Sequence, residues 1–311
     1  MAIAKWAGTL YVLPAMANTT APFRTLRIYL EMIKIEHSIF ALPFALMGMM
    51  LGSLRVHQSI WPGWATFGLI VVAMVSSRSA AMAFNRIVDR EFDAENARTA
   101  MRAIPAGLLS LRHANLFMFA SIAIFIGASA LLNPLALALS PVALLATLGY
   151  SLSKRFTWLC HFILGFSLGI APAAAYIAVT GRLDPAVVLL TFAVMFWTAG
   201  FDIIYALQDA EFDRDHALRS IPAKFGRRNA LVISRVSHVL AIGLLIKAGV
   251  VLNLGTWYWI GVALAAALLA YEQSLVKPDD LSRVNMAFFT LNGWVSVAVF
   301  VCTWFDRMGA R

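Results

Sequence analysis

Residues 63–93 read GWATFGLIVVAMVSSRSAAMAFNRIVDREFD. From Gly63 to Phe84 the only charge is Arg78, and a run of that length crosses a hydrocarbon core of about 30 Å as a helix. The residues that follow are of another kind: Arg86, Asp89, Arg90, Glu91 and Asp93 crowd the next turns. Residues four apart share a helix face, so the D-x-x-x-D pair Asp89 and Asp93 sets two negative charges side by side. That arrangement destabilises a helix unless something cationic stands between them. At 202–215 the sequence reads DIIYALQDAEFDRD, and Asp209 and Asp213 repeat the spacing.

Composition extends the reading of that one span to the whole chain. Of its 311 residues 61% are hydrophobic and only 13% charged, and the mean hydropathy is +0.77, so the apolar surface exceeds what one soluble core buries. The expectation is an all-α, polytopic membrane protein with about nine transmembrane helices. The apolar segments fall near 34–54, 63–86, 113–133, 136–153, 158–180, 186–208, 230–252, 257–275 and 285–305. Trp61-Pro62-Gly63, Asn133-Pro134, Gly181 to Pro185 and Lys277-Pro278-Asp279-Asp280 mark joints between them.

The sidedness of the basic residues supports that count independently. With the N-terminus placed in the cytoplasm, 20 of the 25 Lys and Arg fall on the cytoplasmic side, and only Arg55, Arg182, Lys247, Arg307 and Arg311 lie opposite. The positive-inside rule demands this asymmetry, and it sets both acidic stretches in the cytoplasm. The net charge of +9 is therefore mostly topology, with a contribution toward anionic lipid headgroups or a diphosphate rather than toward nucleic acid. The chain is expected to lie in a membrane with its N-terminus and both acidic stretches on the cytoplasmic side.

The first 20 residues admit two readings. Lys5 and the apolar run to Ala15-Met16-Ala17 imitate a short signal peptide, but cleavage there exports Arg24, Arg27 and Lys34 and inverts the topology. The alternative is an interfacial extension, which divides the chain into an extension (1–27), a membrane domain (28–305) and a short tail (306–311). Cys160 and Cys302 show no zinc or disulfide spacing. The six histidines form no metal-ligand motif.

The chemistry then rests on the acidic stretches 85–95 and 202–215, which hold nine of the sixteen acidic residues. At about 100° per residue, Arg78, Asn85, Asp89 and Asp93 form one polar stripe, and Asp202, Asp209 and Asp213 another with Tyr205 beside it. Arg102-Ala103-Ile104-Pro105-Ala106 is echoed by Arg219-Ser220-Ile221-Pro222-Ala223, and with the matched Asp pairs this suggests a degenerate internal repeat. One such loop reads equally well as a charged helix end neutralised by arginine. Two matched loops, with Arg78 and Asp202 inside their spans, point to function, because an ionisable residue there costs at least about 2.5 kcal/mol. Facing carboxylate pairs suit hard divalent cations that bind phosphate-bearing substrates through one or two carboxylates.

The stretch Asn85 to Asp93, with its R-T-A-x-R-x-I-P-A-G continuation, resembles the first motif of the UbiA superfamily of membrane prenyltransferases. Asp202-Ile203-Ile204-Tyr205-Ala206, Asp209 to Asp213 and Phe225-Gly226 resemble the second, and Tyr150 to Thr157 is similar to the Y-x-x-x-K-R-x-T element between them. Ile33 to Pro43 is similar to the bacterial branch that prenylates 4-hydroxybenzoate. The resemblance covers about 28–305. It departs at Arg86, where many members carry a carboxylate.

The resemblance implies helices around a central cavity, two Mg²⁺ ions, a polyprenyl diphosphate donor and C-prenylation of an aromatic acid. By position, Asn85, Asp89, Asp93, Asp209 and Asp213 bind metal and diphosphate, and the four aspartates are the catalytic set. Lys34, Arg98, Arg102 and Lys154 contact phosphate, while Arg78, Tyr150, Arg155, Asp202 and Tyr205 fall on the acceptor side or support the site. Transfer to 4-hydroxybenzoate for ubiquinone, transfer to a hydroxynaphthoate for menaquinone, and a membrane transporter all stand as readings at this point. A transporter gathers its polar groups near the bilayer midplane, whereas here they gather at helix ends.

Overall fold

The computed structural model describes residues 21–33 and 38–309, so Lys34 and most of the N-terminal extension lie outside the described residues. The architecture is all-helical. In chain order the helices are α1 (Ala21–Met32), α2 (Ser38–His57), α3 (Trp64–Val88), α4 (Arg90–Glu95), α5 (Leu111–Leu132) and α6 (Pro134–Ser153). They continue with α7 (Cys160–Thr180), α8 (Pro185–Ala206), α9 (Ala210–Asp215), α10 (Ile221–Val251), α11 (Thr256–Leu275) and α12 (Asn292–Gly309). Eight helical stretches among the described residues are long and apolar enough to cross a membrane. The ninth long helix, α11, is 20 residues, and its closing Tyr271-Glu272-Gln273-Ser274 lowers its hydropathy. The nine expected spans are thus all present as helices, with α10 starting nine residues earlier than hydropathy suggests.

Local chemistry sets the starts of these helices. At three of them a polar cap is followed within two residues by a proline, which fits the first turn because its missing N–H is not needed there. Asn133 accepts from Ala136 N–H at 2.9 Å, Asp184 from Ala186 N–H at 2.8 Å and Ser220 from Ala223 N–H at 3.3 Å.

Packing inside the bundle relies on small residues, as expected where lipid removes the hydrophobic drive for helix association. Gly165 and Gly169 of α7 share a face against α8, and a Cβ on them would meet Met195 O at 2.3 Å and Thr191 O at 2.4 Å. Replacing Gly169 by Leu is therefore expected to destabilise the bundle by about 1–3 kcal/mol through overpacking. The check is the thermal unfolding midpoint of detergent-purified protein, with Gly127→Leu, which enters open space, left near the wild-type value.

The internal echo is structural as well. Asp89 (φ −94°, ψ 5°) caps the end of α3 and Asp209 (φ −102°, ψ 6°) is the last residue of a short 3₁₀ turn after α8, so each motif opens on an aspartate in the same bridge conformation. A six-residue helix follows in each case, then Ile-Pro-Ala, as a turn at 104–106 and as the first turn of α10 at 221–223, then a glycine with positive φ, Gly107 at 70° and Gly226 at 78°, the latter a kink within α10, and then a long helical run. Each Asp pair therefore straddles a break instead of riding one continuous helix. Register survives the first break because Asp93 N–H still bonds to Asp89 O at 2.8 Å.

Candidate active site at one end of the bundle

The ends of α3, α6 and α8, the start of α7 and the short helices α4 and α9 meet around a polar cavity of about 250 Å³. Twelve of the fourteen residues singled out in the sequence line it: Asn85, Asp89, Asp93, Arg98, Arg102, Tyr150, Lys154, Arg155, Asp202, Tyr205, Asp209 and Asp213. Arg78 lies deeper, on the wall of a second cavity.

Each motif aspartate has one cationic partner. Arg102 Nη1 reaches Asp93 Oδ1 at 2.6 Å, Lys154 Nζ reaches Asp213 Oδ1 at 2.6 Å and Arg155 Nη2 reaches Asp89 Oδ1 at 3.2 Å. Arg98 grips Asp209 with both arms, Nε to Oδ1 at 3.1 Å and Nη2 to Oδ2 at 2.5 Å. That bidentate fork is the strong geometry for a guanidinium and a carboxylate. Arg98 also donates to Tyr205 Oη at 3.1 Å, and Asn96 Nδ2 donates to Asp209 at 3.3 Å. The arginines and lysine assigned to phosphate thus hold carboxylates in this state, and four acids facing four bases leave the rim formally neutral.

The electrostatics follow from burial and these partners. Burial pushes the Asp89 carboxyl above the usual carboxylate range, against the opposing pull of its hydrogen bond from Arg155. Burial opposes the charge on Lys154, yet Asp213 beside it holds the ammonium above its ordinary value.

Arg86 now has a role that its departure from the family pattern obscured. It is buried and donates from Nη1 to Asn85 Oδ1 at 3.0 Å, while Asn85 Nδ2 donates to Asp89 Oδ2 at 2.8 Å. A guanidinium only donates and a carboxylate only accepts, so the amide orientation is forced. In this geometry Arg86 engages one lone pair of the Asn85 oxygen and leaves the other for a metal.

His161 belongs to the site although no histidine motif pointed to it. Its Nδ1 lies 2.7 Å from Asp202 Oδ2, and Ile221 N–H donates to its Nε2 at 3.2 Å. An N–H facing Nε2 makes that nitrogen the acceptor, so the neutral ring carries its proton on Nδ1 and gives it to Asp202. The only available signal was Asp202 itself, a carboxylate in a span that needs a partner.

The rim fits a hard divalent ion on its own chemistry. Among the described residues, Asp93 Oδ2 is buried without a hydrogen bond, and the wholly buried Asp213 carboxylate has the Lys154 ammonium as its one ion-pair partner. No three His, Cys, Asp or Glu among the described residues converge to hold an ion unaided. Carboxylates with spare lone pairs in an incomplete cage suit a cation that takes its remaining ligands from water and phosphate.

Behind the rim lies a larger cavity of about 650 Å³ with mostly apolar walls from α2, α3 and α5 to α8. It shares Asn85, Arg102, Tyr150, Leu164, Asp202 and Tyr205 with the polar cavity and reaches Leu132, Ala136 and Leu183 at the opposite end of the bundle. From Tyr150 to Ala136 along α6 is about 21 Å at 1.5 Å per residue.

Fold and site together define an all-helical membrane-spanning protein whose charged, carboxylate-lined cavity adjoins a long apolar one. The chain belongs to the UbiA prenyltransferase family, whose sequence profile matches residues 41–294. It is similar to a protein from Alkalilimnicola ehrlichii named 4-hydroxybenzoate octaprenyltransferase, at 31% identity over 83% of this chain and 87% of that one. A protein of the same name from Aromatoleum aromaticum is 28% identical over 95% and 97%. Among solved structures, the apo structure of a UbiA homolog from Aeropyrum pernix K1 aligns with a TM-score of 0.74 and 34% identity over 89% of this chain and 98% of that one. A UbiA homolog from Archaeoglobus fulgidus, bound to DMAPP and Mg²⁺, shares the fold with a TM-score of 0.68 at 20% identity over 90% and 99%.

Proposed function

We propose that the chain transfers a polyprenyl group from polyprenyl diphosphate to the ring of 4-hydroxybenzoate, releasing diphosphate, with Mg²⁺ as cofactor. The observation that carries this reading is the shared wall between the charged cavity and the apolar one. A substrate that fits both has an anionic head and a long hydrocarbon tail. The names of the two bacterial relatives support the acceptor and a long donor chain, and the Mg²⁺ in the Archaeoglobus fulgidus homolog supports the metal.

In this reading residues 28–305 form the catalytic domain, lying in a bacterial inner membrane with both acidic loops cytoplasmic, as the distribution of 20 of 25 basic residues favours. Asn85, Asp89, Asp93, Asp209 and Asp213 would hold Mg²⁺, with the Asn85 amide also orienting Asp89. Arg98, Arg102 and Lys154 would neutralise the diphosphate head. The chemistry that bound Mg²⁺ supplies is stabilisation of the departing diphosphate. The C–O bond breaks with its electron pair on diphosphate, and the acceptor ring attacks the allylic carbon ortho to its hydroxyl. Asp202 on the shared wall, hydrogen-bonded to His161, would take the ring proton, which restores aromaticity. Arg78 and Arg155 are assigned to the acceptor carboxylate.

The test is mass spectrometry of products from membranes supplied with octaprenyl diphosphate and a panel of 4-hydroxybenzoate and hydroxynaphthoates. Prenylated 4-hydroxybenzoate is expected, formed with Mg²⁺ and lost on EDTA treatment. A hydroxynaphthoate product alone replaces the acceptor, and recovery of intact donor from every reaction overturns the enzyme reading.

A further inference from the structure

Between α11 and α12 the chain makes a π-helical turn, Met286–Leu291. Such turns are rare, and the widened ring leaves carbonyls that the regular ladder would satisfy. Here one side chain takes them over. Asn292 is fully buried, and its Nδ2 donates to Ala287 O at 3.0 Å and Phe288 O at 3.2 Å. Its Oδ1 accepts from Trp197 Nε1 of α8 at 2.6 Å. Both amide hydrogens and the carbonyl are thus engaged, and the π-turn is pinned to α8.

The pinned turn carries Phe288 to a particular place. Its ring lies 4.2 Å from that of Tyr205 and 5.3 Å, edge to face, from that of Phe201. Trp197, Phe201 and Tyr205 follow one another at four-residue steps, so the α8 face that anchors Asn292 also presents the rings that Phe288 meets. Phe201, Tyr205 and Phe288 line the apolar cavity, and Tyr205 also lines the charged one. The Arg98 guanidinium already sits 5.3 Å over the Tyr205 ring from the charged side. Aromatic surface therefore lines the junction of the two cavities, where a donor with its head in one and its tail in the other would set its allylic carbon.

We propose that Phe201, Tyr205 and Phe288 form the surface that stabilises the allylic cation after diphosphate departs, and that Asn292 is the positioning residue that holds it by pinning the π-turn. This rests on the prenyl-transfer reading above. Heterolysis leaves the electron pair on diphosphate and positive charge on the chain. That charge is then captured by the acceptor ring, forming a C–C bond with loss of a proton, or by water, forming the prenyl alcohol with loss of a proton. Ring faces attract the cation and keep water off it.

The test uses purified protein with inorganic diphosphate, Mg²⁺ and two probes, a geranyl chain ending in ammonium and neutral geraniol. Phe288→Leu keeps apolar bulk and removes the π face. It is expected to weaken ammonium binding about tenfold and leave geraniol binding unchanged, while Phe288→Tyr restores the affinity. Asn292→Ala, outside the cavity, is expected to shift the same ratio in the same direction. With octaprenyl diphosphate as substrate, both variants should release more prenyl alcohol per diphosphate at an unchanged half-saturating Mg²⁺ concentration. Equal weakening of both probes, or no change in either, overturns the proposal. Failure of the acceptor assignment looks different, because wild-type protein would then bind the ammonium probe yet prenylate no ring. If Asn292→Ala does not fold, Trp197→Phe, which keeps a ring and removes the donor to Asn292 Oδ1, takes its place with the same expected shift, and an unchanged ratio overturns the role of Asn292.

Discussion

Asp209→Ala is expected to lower kcat/KM for prenyl transfer by about 10³-fold or more. Asp209 is the anchor of the second motif, receiving the two arms of Arg98 and the amide of Asn96. Its loss removes a carboxylate from the proposed metal side and frees Arg98, the guanidinium that also orders Tyr205. Loss of a single preorganised group at a developing charge already costs about 10²–10³-fold, and this substitution disturbs two. The measurement is initial rate against donor concentration in detergent. An Asp209→Ala enzyme within tenfold of wild type would sink the assignment of this motif to catalysis. Asp89→Ala is expected to lower activity as well.

Lys154→Met is expected to produce the second large effect, on stability as well as turnover. Asp213 is wholly buried and its charge is met by Lys154 at 2.6 Å. Removing one partner of a buried pair strands the other charge, at about 3–5 kcal/mol. The lower end applies here, because about a third of the Lys154 side chain is exposed. A fall in the thermal midpoint is the readout, and the double variant Lys154→Met with Asp213→Leu separates the two contributions. It should regain most of the stability, since an apolar pair of similar volume replaces a buried ion pair at little cost, and it should remain inactive. A double variant as unstable as the single one would show that Asp213 is not the source of the loss.

Much of this site is visible in the linear chain, for a physical reason. Lipid tolerates so few charges that those retained mark function, so Asp89, Asp93, Asp202, Asp209, Asp213 and the nearby basic residues stand out against apolar runs. What stays hidden depends on distance in sequence. Arg98 and Asp209 are 111 residues apart, and His161 and Asp202 are 41 apart. Periodicity marks which face a residue occupies but not which residue it meets there. The π-turn at Met286–Leu291 is invisible for a related reason: a single residue added to one turn leaves an apolar run looking like an ordinary span. Arg86 is the sharpest case, since the residue that breaks the family pattern is the one that orients Asn85.

The matched motifs have a consequence for biogenesis. Asp93 and Arg102 are nine residues apart, so that pair can close as soon as the first acidic loop leaves the insertion machinery. Arg98 waits for Asp209, and therefore for α8, while Lys154 waits for Asp213 just beyond it. A nascent chain halted before α8 thus carries Arg98 and Lys154 exposed and lacks the carboxylates that answer them. The rim reaches neutrality only when the second copy of the motif has emerged, so the last charges to pair report that both halves are in place.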